Sequence, residues 1–227
     1  MRRQRTPPRQ TTRISPTEMT PISASDEVEA LWLLTLQRAI GRASHDVKDA
    51  LNGVSVNLEV IRSRSARPDA LASAVAPFAD AAGQQLERLT TLIEAVLALG
   101  RAERMPADVG VTLRRVVAIC GASASAADAA VRMVGGDLVG SAQSSVHGDV
   151  VRLALMAPLL DVVAGSGRTS RLSEVTCTLA GTEGMVEVMI ATAGRRAAMP
   201  DRVADILRSV GVGCTEGEAL SLAFPRA

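Results

Sequence analysis

Apolar residues recur at alternating intervals of three and four through two long stretches in the first half of the chain. The first stretch begins at Ser25 or Asp26, where a polar side chain can cap a helix and acidic residues occupy the first turn. Its apolar seam consists of Ile40, Val47, Leu51, Val54, Leu58 and Ile61. This spacing predicts a long helix with one apolar stripe, as in a coiled coil or helix bundle.

A break at residues 66–69, which contains Pro68, separates this helix from a second periodic stretch. The second stripe consists of Val75, Ala79, Ala82, Leu86, Leu89, Ile93 and Val96. The two stretches together predict a helical hairpin. Because a single hairpin cannot cover two wide stripes, we expect a homodimer in which two hairpins form a four-helix bundle.

The remainder of the chain divides into a basic tail and a mixed domain. Residues 1–24 are rich in Arg, Pro and Thr and predict a disordered basic tail, whereas 25–104 form the hairpin. The pattern after residue 105 predicts helices over 111–119, 149–163 and 201–210, and strands over 131–134, 174–179, 185–191 and 219–224. We therefore expect an α/β domain over 105–227.

Composition narrows the classes of function. The chain has 227 residues, is 47% hydrophobic and carries a net charge of +1, which predicts a soluble globular protein without a nucleic-acid footprint. Its apolar runs are too short for a membrane span, so we expect a cytoplasmic location. Three widely spaced cysteines without a CxxC pair argue against a disulfide framework and against a metal site, and we expect them to be buried.

The helical geometry directs attention to His45. At about 100° per residue, His45 lies roughly 200° from Val47 and therefore faces away from the apolar seam. The residues on the same stripe or beside it are Asp46, Lys48, Asp49, Asn52 and Val56. An exposed neutral imidazole is a competent nucleophile, and a neighbouring carboxylate can orient the ring or take its proton. A lone surface histidine is more often merely solvated, so the surrounding pattern decides.

That pattern, Ala-Ser-His-Asp-Val-Lys-Asp-Ala-Leu-Asn-Gly-Val over 43–54, resembles the phosphoacceptor box of two-component sensor histidine kinases. The stretch 85–99 resembles the second helix of the same dimerization and histidine phosphotransfer domain. The resemblance implies that His45 is phosphorylated and that Asp46 is its catalytic acidic neighbour. Asp49 departs from the usual Thr or Asn that positions a hydrolytic water, and Ala50 replaces the usual proline.

The order of elements after residue 105 resembles the ATP-binding α/β sandwich of histidine kinases, but its nucleotide motifs are missing. The helix over 155–163 has no asparagine, and Asp161 is the one candidate substitute. Thr192 and Arg196 stand where the family has its adenine-reading aspartate and its second glycine. We therefore expect a degenerate sandwich that uses no cofactor and has lost ATP and Mg²⁺ binding.

These features predict a histidine phosphotransfer protein that exchanges a phosphoryl group between His45 and a response-regulator aspartate without using ATP. The resemblance implies a receiver domain as partner, with an upstream histidine kinase as a further candidate. The expected docking residues are Lys48, Asp49, Asn52, Gly53 and Val56. Two alternatives remain open, an ATP-dependent sensor kinase with divergent motifs and a non-catalytic dimeric scaffold for response regulators.

Overall fold

The computed structural model describes residues 24–69, 71–101, 106–125, 130–134, 142–164, 174–194 and 196–227. The basic tail predicted for 1–24 lies outside the described residues, except for Ala24, which already belongs to the first helix. The boundary predicted at 104/105 also lies outside them.

The predicted hairpin is confirmed. Helix α1 covers Ala24–Ser65 without interruption, including Ala50, and helix α2 covers Ala76–Leu99. A short 3₁₀ turn at Ala72–Ala74 precedes α2, and a proline stands in the first turn of α2, where its fixed φ suits a helix start. Arg64 fastens the tip of the hairpin, because its guanidinium lies 4.5 Å from the centre of the Phe78 ring.

The predicted α/β sandwich is also confirmed. Its helices are α3 (Val109–Ser125), α4 (Gly148–Ala164) and α5 (Asp201–Ser209). Its strands are β1 (Ala107–Asp108), β2 (Ala130–Val134), β3 (Gln143–Ser144), β4 (Glu174–Thr182), β5 (Met185–Ala193), β6 (Gly213–Glu216) and β7 (Ala219–Pro225). The main sheet has the order β2-β4-β5-β7-β6, with β2 parallel to β4 and the other pairs antiparallel, and β1 pairs with β3.

One face of the main sheet is apolar and packs on the helices. Alternate residues of the central strands are buried, namely Val175, Cys177, Leu179, Val186, Val188, Ile190, Leu220, Leu222 and Phe224. This period of two is what a half-covered strand requires. Helix α4 is buried around nearly its whole circumference, because it lies between this sheet and the hairpin.

The hairpin and the sandwich share one continuous hydrophobic core. Trp32, Leu36 and Leu99 of the hairpin belong to the same cluster as the buried residues of α3, α4 and the sheet. The Trp32 ring lies 5.8 Å from the guanidinium of the buried Arg152, which donates a 3.0 Å hydrogen bond to Asp149. The N-terminal part of α1, around Trp32, is therefore fixed to α4 by packing and by a cation–π contact.

The residues that close the hairpin differ from the predicted seam. Helix α1 buries small residues against its neighbours, including Ala39, Ala43 and Ala50. Of the predicted seam residues, Leu89 and Ala82 are buried, whereas Leu51, Leu58, Leu86 and Ile93 keep 46%, 55%, 54% and 44% of their surface exposed. This exposure in a single chain fits the expectation that the stripes are too wide for one hairpin to cover, and the burial of these residues in a homodimer stays a prediction.

Two of the three cysteines are core residues, as predicted, and Cys214 is half-buried; all three thiols are free. Burial raises the pKa of Cys177 to about 12 and, with a smaller effect of that neighbouring thiol, raises the pKa of Cys120 to about 12 as well. None of the described helices combines the length and the apolar character needed to cross a membrane.

Candidate functional site

His45 lies near the middle of α1 and is exposed, as the helical geometry predicts. Its side chain keeps 75% of its surface accessible, and its Nδ1 atom lies 3.1 Å from Oδ2 of Asp49. The pair is close because residues four apart are neighbours on a helix surface. Ala43 and Ala50, which face the interior, turn His45 outwards.

The contact with Asp49 determines which ring nitrogen is available for chemistry. A neutral ring with its proton on Nδ1 places that proton beside the carboxylate and leaves the lone pair on Nε2. The sequence predicted that Asp46 would orient the ring, but the carboxylate on Nδ1 is that of Asp49. Asp46 is half-buried and lies next to this pair, so its carboxylate adds a second negative charge beside the ring.

The same three side chains have the donor atoms of a weak cation site. Ligand atoms of His45, Asp46 and Asp49 lie within 4.8 Å of one another. All of them come from one helix surface, however, and nothing in the described residues encloses an ion there. The cluster is better suited to an approaching partner than to a resident metal.

The remaining predicted docking residues divide between two faces of α1. Asn52 and Val56 continue the stripe of His45, and Val56 is 64% exposed. Lys48 instead borders an apolar groove between α1 and α2. Gly53 is half-buried, and a Cβ atom built there would lie 3.6 Å from the Gln85 side chain of α2, so this glycine also belongs to the hairpin contact.

The positions that the resemblance assigns to a nucleotide do not offer its ligands. Within 155–163 the side chains are apolar apart from the exposed Asp161. Pro158 lies inside α4 and has no backbone N–H to donate. Thr192 lies in β5, and Arg196 is exposed after it. Because Mg²⁺ requires several oxygen ligands, these residues do not fit a magnesium–nucleotide complex, and the loss of ATP binding stays a prediction.

Two arginines on the His45 stripe were not singled out by the sequence. Arg38 and Arg42 precede His45 by seven and three residues and line a cavity between α1, α4 and α5. Their spacing was visible in the sequence, but the cavity exists only because the sandwich packs beside this part of α1.

No family model and no curated protein sequence matches the chain. Among solved structures, the chain is similar to the Acinetobacter baumannii histidine kinase AdeS, with 11% identity over 80% of this chain and 97% of that one, at a TM-score of 0.36. It is also similar to the histidine kinase ThkA in complex with the response regulator protein TrrA, with 11% identity over 92% and 68% of the two chains and a TM-score of 0.41.

A further similar structure is full-length ShkA in complex with AMPPNP, with 12% identity over 82% of this chain, at a TM-score of 0.41. This chain spans 46% of ShkA. The likeness concerns the overall fold, a helical hairpin followed by an α/β sandwich. The roles of individual site residues rest on this chain's own side chains and their geometry.

Proposed function

We propose that this chain is a cytoplasmic histidine phosphotransfer protein of a two-component phosphorelay. The single observation that carries the proposal is the exposed imidazole of His45, whose Nδ1 atom lies 3.1 Å from Oδ2 of Asp49, so that Nε2 is the nitrogen left for chemistry. The three free thiols are consistent with a reducing compartment.

The proposed step is an in-line displacement at phosphorus. Nε2 of His45 attacks the phosphoryl group of a receiver aspartyl phosphate, the bond from phosphorus to the aspartate oxygen breaks, and the aspartate leaves as a carboxylate. The ring gains a positive charge, which the adjacent Asp49 carboxylate stabilises, so no proton has to leave. The reverse step returns the phosphoryl group to a receiver.

The receiver has to bring its aspartyl phosphate into line with Nε2, which places its docking surface on the His45 face of α1. Val56 gives this face an exposed apolar residue about three turns from His45 towards the C-terminus of α1. Lys48 follows His45 by three residues and lies close enough along the helix to offset phosphoryl charge. We propose that the phosphoryl group comes from a receiver or an upstream kinase and not from ATP.

We further propose that two chains pair through the exposed apolar face of the hairpin. Leu51, Leu58, Leu86 and Ile93 lie on this face, and an open apolar groove of about 360 Å³ runs beside it, lined by residues such as Ile40, Val47 and Leu97. Apolar surface of this kind favours burial against a second hairpin. His45 faces away from it, so both histidines of a dimer would stay accessible.

The proposal is tested in two stages with the full chain. Potassium phosphoramidate, a small phosphoryl donor, should label His45, and ³¹P NMR should show phosphate on Nε2. The labelled protein should then transfer phosphate to response-regulator receiver domains. His45→Gln should abolish both steps, whereas His147→Gln, which removes the other histidine of the chain, should leave them intact.

The alternatives give different results in these assays. Label on His45 from ATP alone would identify a divergent kinase. Receiver binding that persists with no phosphate on His45 would identify a scaffold. Transfer at the normal rate by His45→Gln would refute the proposal.

A further inference from the structure

A cavity of about 660 Å³ lies where the sandwich packs beside the first turns of the hairpin. It is bounded by α1 on one side and by α4 and α5 on the other. Its volume falls within the range of about 300–1,000 Å³ that is typical of small-molecule sites. This cavity plays no part in the phosphotransfer proposed for His45.

The charged residues of this cavity come from three different helices. Arg38 and Arg42 belong to α1, Asp161 to α4, and Asp201 and Arg202 to the first turn of α5. In the part of the chain that the structure describes, none of the three guanidinium groups forms an ion pair with a carboxylate. The cavity therefore holds three guanidinium groups and two carboxylates, which leaves an excess of one positive charge, and among the described residues none of these arginines is paired directly with either carboxylate.

The spacing of Arg38 and Arg42 is unfavourable for the stability of helix α1. Like charges four residues apart repel one another on a helix surface. A guanidinium group has a planar set of donors that matches the oxygens of a phosphate. An anion between these arginines and Arg202 would relieve the repulsion and use all three groups.

The rest of the cavity wall is apolar, apart from Thr35. Leu31 and Leu34 of α1 face Leu160 of α4 and Val203 of α5. A bare inorganic anion would leave this surface in contact with water, whereas an apolar body attached to the anion would cover it. The wall therefore favours an amphipathic ligand over a free ion.

We propose that this cavity binds a small organic phosphate monoester, with its phosphate between Arg38, Arg42 and Arg202 and its apolar body against Leu34 and Leu160. Two of the three arginines belong to the hairpin, so the site requires the hairpin and the sandwich together. Guanidinium groups hold the phosphate, and binding is therefore independent of Mg²⁺.

The probe is 1-naphthyl phosphate, titrated into the full chain by calorimetry at low salt, with 1-naphthol and inorganic phosphate as matched controls. The first control keeps the apolar body without the charge, and the second keeps the charge without the body. We expect the monoester to bind at least about tenfold more tightly than either control, to weaken as salt is added and to be unaffected by EDTA. Equal affinity for the monoester and 1-naphthol would overturn the proposal.

Substitutions give a pattern of opposite signs that a merely solvated surface would not produce. Arg42→Gln and Arg202→Gln should each weaken binding about tenfold, because each removes a charge-assisted hydrogen bond. Asp161→Asn should strengthen binding several-fold, because it removes a negative charge from the cavity wall.

The matched control is Arg208→Gln, which removes an exposed arginine of α5 that pairs with Asp205 outside the cavity. It should leave the affinity unchanged, and circular dichroism should show that each variant is folded. Binding that is equally insensitive to Arg42→Gln, Arg202→Gln and Arg208→Gln would overturn the proposal, as would an absence of saturable binding at millimolar monoester. None of these outcomes depends on phosphotransfer at His45.

Discussion

Replacing Leu58 with aspartate tests whether the exposed apolar face of the hairpin is a dimer interface. Leu58 keeps 55% of its surface exposed in one chain. Full burial of a leucine contributes about 1.5–3 kcal/mol, so covering this exposed part contributes on the order of 1 kcal/mol in each chain. Leu58→Asp forfeits that contribution twice in a two-fold dimer and also places a carboxylate on an apolar surface.

The expected loss is therefore at least about 2 kcal/mol, or a dimer roughly thirtyfold weaker. The monomer should stay folded, because more than half of the Leu58 surface is exposed in a single chain and an aspartate there remains hydrated. Leu89→Asp provides the contrast: Leu89 is only 8% exposed, so its replacement should unfold the hairpin instead of merely dissociating it.

Val56→Asp is the matched control, since Val56 is 64% exposed and lies two residues from Leu58. Two residues turn the helix by about 200°, which places Val56 on the His45 face. Analytical ultracentrifugation should show dissociation for Leu58→Asp and an unchanged dimer for Val56→Asp, with circular dichroism as the folding control. A monomeric mass for the unsubstituted protein, or equal weakening by both substitutions, would refute the reasoning.

Three further predictions concern the site and the core. Labelled ATP alone should give no phosphohistidine, because α4 lacks the ligands for Mg²⁺; acid-labile label would contradict this. Asp46→Asn and Asp49→Asn should both slow transfer and retain receiver binding, and ¹⁵N NMR should show a changed tautomer of His45 in the Asp49 variant alone; the same tautomer in both variants would exclude the role of Asp49. Stability should fall above about pH 9, by about 1.4 kcal/mol per pH unit for each of Cys120 and Cys177, because the unfolded chain releases thiol protons that the folded chain retains up to about pH 12. Denaturant titrations should show that Cys177→Ala has about half the combined slope of the two cysteines. A free energy of unfolding that does not change with pH in the unsubstituted protein would contradict the pKa shifts.

The long elements were predictable because their periodicity is local. The three-and-four spacing of α1 and α2 and the alternation of β4, β5 and β7 can be read from the chain, and the structure has these elements. The short strands β1, β3 and β6 were not predicted, because two to four residues carry too little pattern. In addition, β1 and β3 are defined only by pairing with each other across a long stretch of chain. The start of α3 was missed by two residues, since its Asp108 cap precedes the apolar period.

The face that closes the hairpin was not predictable from hydrophobicity. The large apolar residues dominate the pattern of α1, but Ala43 and Ala50 make its buried contact. Small side chains let helices approach closely, and this steric effect leaves little trace in a hydrophobic stripe. The exposure of His45 was nevertheless predicted correctly, because the apolar residues in the neighbouring turns, such as Ala43, Val47 and Ala50, lie on the opposite side of the helix.

The contact of His45 with Asp49 shows a different limit of the pattern. The i, i+4 spacing permitted it, but the resemblance directed attention to Asp46 as the orienting residue. The arginine-lined cavity depends on where the sandwich packs, which the contact of Trp32 with Arg152 helps to fix. No local pattern encodes that long-range contact.

The division of α1 into separate faces has a consequence for how the protein would work. Ile40, Leu51 and Leu58 lie at least about 120° around the helix from His45, whereas Arg38, Arg42 and Asp49 lie within about 60° of it. A second chain on the apolar face would therefore not cover His45, and a receiver on the polar face would not compete with dimerization. A ligand between Arg38 and Arg42, in contrast, would lie on the same face, one to two turns from His45 towards the N-terminus of α1. If receiver docking is sensitive to any ligand of this protein, geometry assigns that sensitivity to the arginine-lined cavity and not to the apolar groove.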